Sequence, residues 1–197
     1  MQEIFNDDFW VALHDFSQQA KVVLEIGGAT GDGSTTAFKD ASDKGVLIYS
    51  VEALSDRYQQ LNLKPFVTAI YGSTVSAEGY MSEDAMIKFW KEIPTSFSAY
   101  SLDFIKQIRN GELELLKQIP NNVIDDIKAD FVLIDGSAFT GEAELEKTIA
   151  NARFIALDDI VDIKNYANFH KLSNSPEWNI IYQNQFLRNG AAIFQRR

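Results

Sequence analysis

The chain has 197 residues, 46% of them hydrophobic and 12% aromatic, which is enough for one domain with a sizeable core and no staples. Its 18 basic residues against 28 acidic ones leave a net charge of −10, which argues against a nucleic-acid or anionic-membrane binder, since phosphate recognition needs a basic footprint. The absence of Cys excludes disulfides, thiolate metal centres and Cys nucleophiles, and 2 His are too few for a His-rich zinc site.

In chain order, residues 8–20 carry Phe9, Trp10, Leu13 and Phe16 at helical spacing behind an Asp-rich start, so an amphipathic helix is predicted there. Met1 to Phe16 has neither the basic start nor the apolar core of a secretory signal. No apolar run approaches the roughly 20 residues of a membrane span. A cytoplasmic protein is the expectation. Val22–Ile26 is a short apolar run ending in glycines, as buried parallel strands do. A loop over Gly27–Gly33, a helix over Ser34–Ala41, a strand over Val46–Val51, a helix over Ser55–Leu63 and a strand over Phe66–Tyr71 follow. Residues 74–128 break the rhythm with helical stretches at Glu83–Glu92 and Leu102–Gln118, and read as an insertion. The alternation then resumes: strand Phe131–Ile134, helix Glu142–Ala150, strand Arg153–Leu157, helix Ile160–Leu172. Trp178–Tyr182 and Ala191–Gln195 close it as an antiparallel pair around Arg188-Asn189-Gly190. The expected fold is α/β: a Rossmann-like, doubly wound, mostly parallel sheet in one domain, 1–197, with a helical insertion and a C-terminal antiparallel strand pair.

The segment Glu25-Ile26-Gly27-Gly28-Ala29-Thr30-Gly31-Asp32-Gly33-Ser34 lies between a strand and a helix. Glycines there permit positive φ and close approach of a ligand, and the helix start offers free N–H groups. Glu52 ends the next strand, where an acid accepts hydrogen bonds from both ribose hydroxyls. Loop and acid together point to a nucleoside-containing ligand, although either alone is also an ordinary turn or a solvated strand end. The dinucleotide pattern G-x-G-x-x-G is broken, because Ala29 or Thr36 falls where a glycine is required. No Gly-Lys-Ser/Thr follows, so a Walker loop is absent.

On these residues the sequence resembles the class I S-adenosylmethionine-dependent methyltransferases. Glu25, Gly27 and Gly31 match their first motif, Ser34 sits where those loops turn into a helix, and Ser50-Val51-Glu52 matches the second. The resemblance continues through Phe131-Val132-Leu133-Ile134-Asp135-Gly136, Phe154 to Asp159 and Arg188 to Phe194. It implies S-adenosylmethionine as cofactor. Glu25 is then placed near its methionine end, Gly27, Gly28 and Gly31 make room for it, Glu52 holds the ribose, and Gly72-Ser73 borders the adenine. Ser34 and Asp135 complete the implied cofactor set.

Asp135 ends one strand, and Asp158 and Asp159 end the next, so three carboxylates converge where α/β folds bind ligands. Oxygen-only ligands of this kind suit Mg²⁺. The pattern is similar to that of metal-dependent O-methyltransferases, bacterial macrocin-type sugar methyltransferases and catechol-type enzymes, which implies Asp135 and Asp158 as catalytic residues and all three as metal ligands. Resemblance to the bacterial FkbM-type and macrocin-type groups implies a sugar-like hydroxyl as acceptor. The alternative is that these acids cap a helix and support turns. The resembled enzymes carry a Lys or His three residues after the first Asp. Here that position is Ala138, with Lys164 and His170 as substitutes of unknown direction. His14 falls near an apolar stripe and reads as a packed or surface residue, and Glu142 and Glu144 read as helix-dipole partners. In the insertion, Phe89 and Trp90 suit either a lid over an acceptor pocket or a helix core. The implied function is methyl transfer to a hydroxyl of a small sugar-like or phenolic acceptor. A non-catalytic nucleoside binder, a nicotinamide oxidoreductase and an aminopropyltransferase remain open.

Overall fold

The computed structural model describes residues 4–197. Its sheet has seven strands in the order β3-β2-β1-β4-β5-β7-β6. The first three are β1 (Val22–Ile26), β2 (Leu47–Glu52) and β3 (Thr68–Tyr71), followed by β4 (Phe131–Ile134) and β5 (Phe154–Asp158). All of these run parallel, whereas β7 (Ala191–Arg196) pairs antiparallel with both β5 and β6 (Trp178–Asn184). This is the Rossmann-like fold expected, with its crossover reversal between β1 and β4.

The register decides which side chains reach the carboxyl edge of the sheet. Ile26 lies beside Val51 and Ile134, and Ile134 beside Leu157, so these apolar residues form one row. The residue after each is Gly27, Glu52, Asp135 or Asp158. Four separate strands thus deliver a glycine and three acids to a single line.

Alternation along β1 divides the core. Val23 packs with Phe9, Leu13, Phe38, Phe131 and Phe154 on one face, against α1 (Asp8–Ser17) and α2 (Lys39–Asp43). Leu24 and Ile26 pack with Val132, Leu145, Leu157 and Leu172 on the other, against α6 (Gly141–Thr148) and α7 (Tyr166–Ser173). α3 (Ser55–Leu61) connects β2 to β3. Asp7 caps α1 by accepting from Trp10 N–H at 2.8 Å.

Several helices end short of their predicted ranges, and two others depart at their starts. Residues 34–38 form a 3₁₀ turn ahead of the short α2, because Ser34 and Thr35 turn their hydroxyls inward onto Glu25. Residues 160–165 stay irregular before α7, because Asp159 takes a left-handed backbone (φ 58°) and Asn165 is pulled under the strand ends.

The insertion between β3 and β4 carries α4 (Glu83–Glu92) and α5 (Leu102–Leu116), capped by Ser82 and Ser101. Its own core gathers Val75, Met86, Ile105, Leu116, Phe139 and Ile163. Its end returns to β3 through two backbone bonds, Ser73 N–H to the Pro120 carbonyl and Val123 N–H to the Ser73 carbonyl. Gly72 (φ 140°) permits that closure, since a Cβ there would lie 2.6 Å from the Pro120 carbonyl oxygen.

Candidate active site

A cleft of about 1270 Å³ opens at the carboxyl edge of the sheet, over the reversal between β1 and β4. That is where doubly wound sheets bind their ligands. One wall is the glycine loop. Gly27 (φ 91°) brings β1 against the end of β4 so tightly that a Cβ would lie 2.8 Å from the Asp135 carbonyl carbon. Gly27 and Gly28 N–H both donate to the Val51 carbonyl, which folds the loop back over β2. Gly27, Gly28 and Ser34 line the cleft. Gly31 lies behind the loop against Leu61 and Lys64, where its positive φ turns the chain.

Glu25 is placed beneath the loop rather than on the cleft wall. It is fully buried and accepts from Ser34 Oγ at 2.5 Å, Thr35 Oγ1 at 2.6 Å and Ser50 Oγ at 2.5 Å. Ser50 is its direct neighbour in the β1–β2 register, so the pairing of strands supplies one of the three donors. Burial raises the Glu25 pKa, and the three hydroxyls oppose that rise. Glu25 therefore ties the loop to β2.

Glu52, at the end of β2, does line the cleft and is 7% exposed. Leu54 N–H donates to its Oε1 at 2.7 Å. Its pKa is raised, chiefly by burial, with Leu54 N–H and Arg57 opposing. Ser73 and Thr74 form the adjoining wall, together with Glu144, whose role the sequence reading missed. Glu144 Oε1 accepts from Thr74 Oγ1 at 2.7 Å and Thr140 Oγ1 at 2.9 Å, and Oε2 is buried with no partner. An acidic first helical turn gives no sign of such burial, because the dipole explains it equally well.

Asp135, Asp158 and Asp159 converge as expected, each with a carboxylate oxygen within 4.8 Å of the others. Two cations already occupy them. Lys164 Nζ stands 2.6 Å from Asp135 Oδ1 and 2.6 Å from Asp159 Oδ2, and Arg188 Nη2 donates to Asp158 Oδ1 at 2.8 Å. Arg188 also pairs with Asp7, the cap of α1. Asn189 Nδ2 donates to Asp159 Oδ1 at 2.9 Å. Burial and the two neighbouring aspartates push Asp158 up to about 7. Burial pushes Asp135 up to about 6 against the pull of Lys164. For Asp159 burial works in the same direction, but Lys164 and Asn189 outweigh it and hold the carboxyl below its usual range. Burial alone lowers Lys164, and Asp135, Asp159 and Asp158 more than offset it, so the ammonium stays charged.

Lys164 lies in the turn before α7, not on the helix. His170 is exposed, with its ring against Tyr166 and Phe169, and His14 bonds Asp15 and Asp40 on the surface. Neither histidine lines the cleft. The donor set does not fit a divalent ion as it stands. Mg²⁺ needs oxygens at about 2.0–2.1 Å in octahedral array, and four of the six carboxylate oxygens are already taken, two by Lys164 Nζ, one by Arg188 and one by Asn189.

The insertion supplies the outer wall through Phe97, Tyr100, Phe104, Ile105 and Ile108. Tyr100 and Phe104 lie together with ring centroids 5.5 Å apart and planes tilted by 36°. Trp90 and Phe89 are not on this wall. Both pack in the insertion core, where Trp90 Nε1 donates to the Tyr100 carbonyl at 3.1 Å. Below the wall, Glu112 accepts from Tyr80 and Ser137 hydroxyls.

No protein-family model matches the sequence, and no curated protein matches it significantly. Solved structures do. A Staphylococcus aureus protein with a provisional caffeoyl-CoA O-methyltransferase assignment aligns over 98% of this chain and 85% of its own, at 14% identity and TM-score 0.60. A Bacillus cereus O-methyltransferase in complex with S-adenosylhomocysteine covers 96% of this chain and 79% of its own, at 15% identity and TM-score 0.55. The Streptomyces achromogenes O-methyltransferase TomG, in complex with S-adenosylmethionine, covers 95% and 78%, at 12% identity and TM-score 0.53. At these identities the likeness establishes the shared fold.

Proposed function

We propose that the chain is an S-adenosylmethionine-dependent methyltransferase acting on a hydroxyl of a small, uncharged acceptor, sugar-like or phenolic. The observation that carries this reading is the placement of Glu52 at the end of β2, in the same cleft as the Gly27-Gly28 turn. Structural neighbours that bind S-adenosylmethionine or S-adenosylhomocysteine support it. Glu52 is the acceptor for the ribose hydroxyls, the Gly27–Gly28 backbone makes room for the methionine end, and Ser73 and Thr74 border the adenine. Glu144 Oε2, buried and unpartnered, suits a ligand amino group beside them.

When bound, S-adenosylmethionine supplies a methyl group activated by its sulfonium. The chain's task is to align the acceptor oxygen in line with that methyl in a dry cleft. Its aromatic outer wall excludes water and presents a flat apolar surface to the acceptor. The hydroxyl proton leaves toward the aspartate cluster. Of the cleft's cations, Lys164 and Arg188 are engaged by aspartates and Arg57 acts on Glu52, which leaves little to attract a polyanionic acceptor and disfavours nucleic acid. Among the described residues no helix is long and apolar enough to cross a membrane.

Thermal unfolding and calorimetry with S-adenosylhomocysteine test the reading. At about 100 times the Kd, the ligand stabilises a protein by roughly 2.7 kcal/mol, and NAD⁺ is expected to leave this one unchanged. Glu52→Ala should weaken S-adenosylhomocysteine binding by about 1.5–3 kcal/mol, the usual loss for a hydrogen bond to a charged group. Unchanged affinity in a folded Glu52→Ala protein rules out the assignment.

A further inference from the structure

The ends of β4 and β5 gather the donor set of a hard-cation site, yet the cation there belongs to the chain itself. We propose that the Lys164 ammonium is the resident cation of this cleft, tethered where a divalent ion would stand, and that the site is built to work without a metal. This deepens the methyltransferase reading and rests on it for its catalytic meaning.

Three observations carry the inference. The first is the bonding of Nζ, which is shared evenly between Asp135 Oδ1 and Asp159 Oδ2 at 2.6 Å each. With Asn189 on Asp159 Oδ1 and Arg188 on Asp158 Oδ1, four of the six carboxylate oxygens are taken, so a divalent ion held by all three aspartates would have to displace at least one of these donors. It would also sit beside Lys164 and Arg188, placing a third cation among three carboxylates. The second is that the position of Lys164 is imposed by its neighbours. Asn165, fully buried, donates through one Nδ2 to the Ile134 carbonyl at 3.0 Å and the Asp158 carbonyl at 2.7 Å, bridging the ends of β4 and β5. Asn168 Nδ2 then donates to Asn165 Oδ1 at 2.8 Å and to the Gly141 carbonyl at 2.8 Å. Gly141 has no side chain for a reason: a Cβ there would crowd the Lys164 backbone, with its carbonyl carbon at 3.2 Å. A lysine on a clamp of this kind is held as firmly as a ligand on a strand. The third is that Asp159 is preset for it, with a left-handed backbone (φ 58°) and its other oxygen fixed by Asn189.

An ammonium has three donors, and the two ion pairs use two of them. Lys164 lies on the cleft wall, so its remaining N–H is the one available to an acceptor oxygen. There it supplies positive charge to the oxygen that attacks, as a bound metal would, while the hydroxyl proton passes to the Asp158 carboxylate, the O–C bond forms and the C–S pair returns to sulfur.

The metals alone test this, without reference to turnover. Mn²⁺ and Mg²⁺ titrated calorimetrically into the wild-type protein, with and without S-adenosylhomocysteine, should give no binding tighter than millimolar. Lys164→Ala opens the three carboxylates and should bind Mn²⁺ at least 10-fold more tightly than wild type, with a rise in Tm on adding Mn²⁺ that wild type lacks. Adding Asp135→Asn to Lys164→Ala should abolish that gain. Micromolar Mn²⁺ binding by wild type overturns the proposal, as does a folded Lys164→Ala protein that gains none. If Lys164→Ala does not fold, the wild-type titration decides by itself. Failure of S-adenosylhomocysteine to bind wild type would instead sink the methyltransferase reading and leave the metal result standing.

Discussion

Two groups of carboxylates under one cleft are stabilised by opposite means. At the end of β1, Glu25 is fully buried with three hydroxyls and no cation against it. At the ends of β4 and β5, three aspartates are held by an ammonium and a guanidinium. The hydroxyl cage is local, drawn from the loop itself and from the neighbouring strand. It accepts Glu25 in either protonation state, because hydroxyls rotate to donate or accept. The cation cage reaches much further, since Arg188 joins Asp158 to Asp7 at the start of α1. Its charges cannot be relieved by rotation, so each partner depends on the others. The difference gives the glycine loop an adjustable footing and the β4–β5 edge of the cleft a fixed one.

The largest effect should come from breaking the fixed side. Arg188→Ala leaves Asp158 and Asp7 without their shared partner, and Asp158 is 5% exposed. Removing one member of a buried pair typically costs about 3–5 kcal/mol. Denaturant unfolding should show a loss of that size, and Arg188→Lys should recover only part of it because one ammonium cannot span both carboxylates. A loss under about 1 kcal/mol, the ordinary range for an exposed pair, would mean the cage is not structural.

Proton linkage compares the two groups directly. Glu25 feels the charges of Glu52 and Asp135, and Asp158 those of Asp135, Asp159, Lys164 and Arg188. Both acids have folded pKa values above their unfolded ones, Asp158 at about 7. A raised acid binds more protons folded than unfolded, so its stabilisation is complete below the unfolded pKa and is lost as pH climbs through the folded one. The contribution of these acids should therefore be largest at about pH 4 and decline as pH climbs to about 7. Glu25→Gln should flatten that slope without abolishing folding. A stability curve that rises from pH 5 to 8 would show that neither carboxyl is held as the structure places it.

Much of the architecture was legible in the residues, and the reason is periodicity. Phe131–Ile134 and Phe154–Leu157 are unbroken apolar runs bounded by turn residues, and Val22–Ile26 is broken only by Glu25, as buried parallel strands read. The ends of those runs place Gly27, Asp135 and Asp158 in one row, and the end of β2 adds Glu52. Direction of side chains was not legible. Glu25 stands in a cofactor motif, yet the Ser50 beside it and the Ser34-Thr35 turn draw it inward. Lys164 lies 29 residues beyond Asp135 and meets it only because Asn165 clamps the intervening turn. Glu144 and Arg188 were hidden for the same reason, as their partners come from distant segments. In the insertion, aromatic content could not separate wall from core: Trp90 is core, and Phe97, Tyr100 and Phe104 form the wall.

That last division yields the smallest expected effect, and the one that best isolates the acceptor side from the cofactor side. Phe104 is 45% exposed and lies beside Tyr100 on the outer wall of the cleft. Met86, in the same insertion, is fully buried. Truncating a buried Met to Ala costs about 2–5 kcal/mol because a cavity is left, whereas a half-exposed ring on a cleft rim leaves none. Phe104→Ala should change stability by less than about 1 kcal/mol, leave S-adenosylhomocysteine affinity unchanged, and raise the KM for a phenolic acceptor several-fold while kcat holds. Uniform binding lost from a wall has that signature, since the wall grips ground state and transition state alike. If Phe104→Ala weakens S-adenosylhomocysteine as much as it weakens the acceptor, the aromatic wall belongs to the cofactor half of the cleft, and the two sides are not separable as the carboxylate groups beneath them imply.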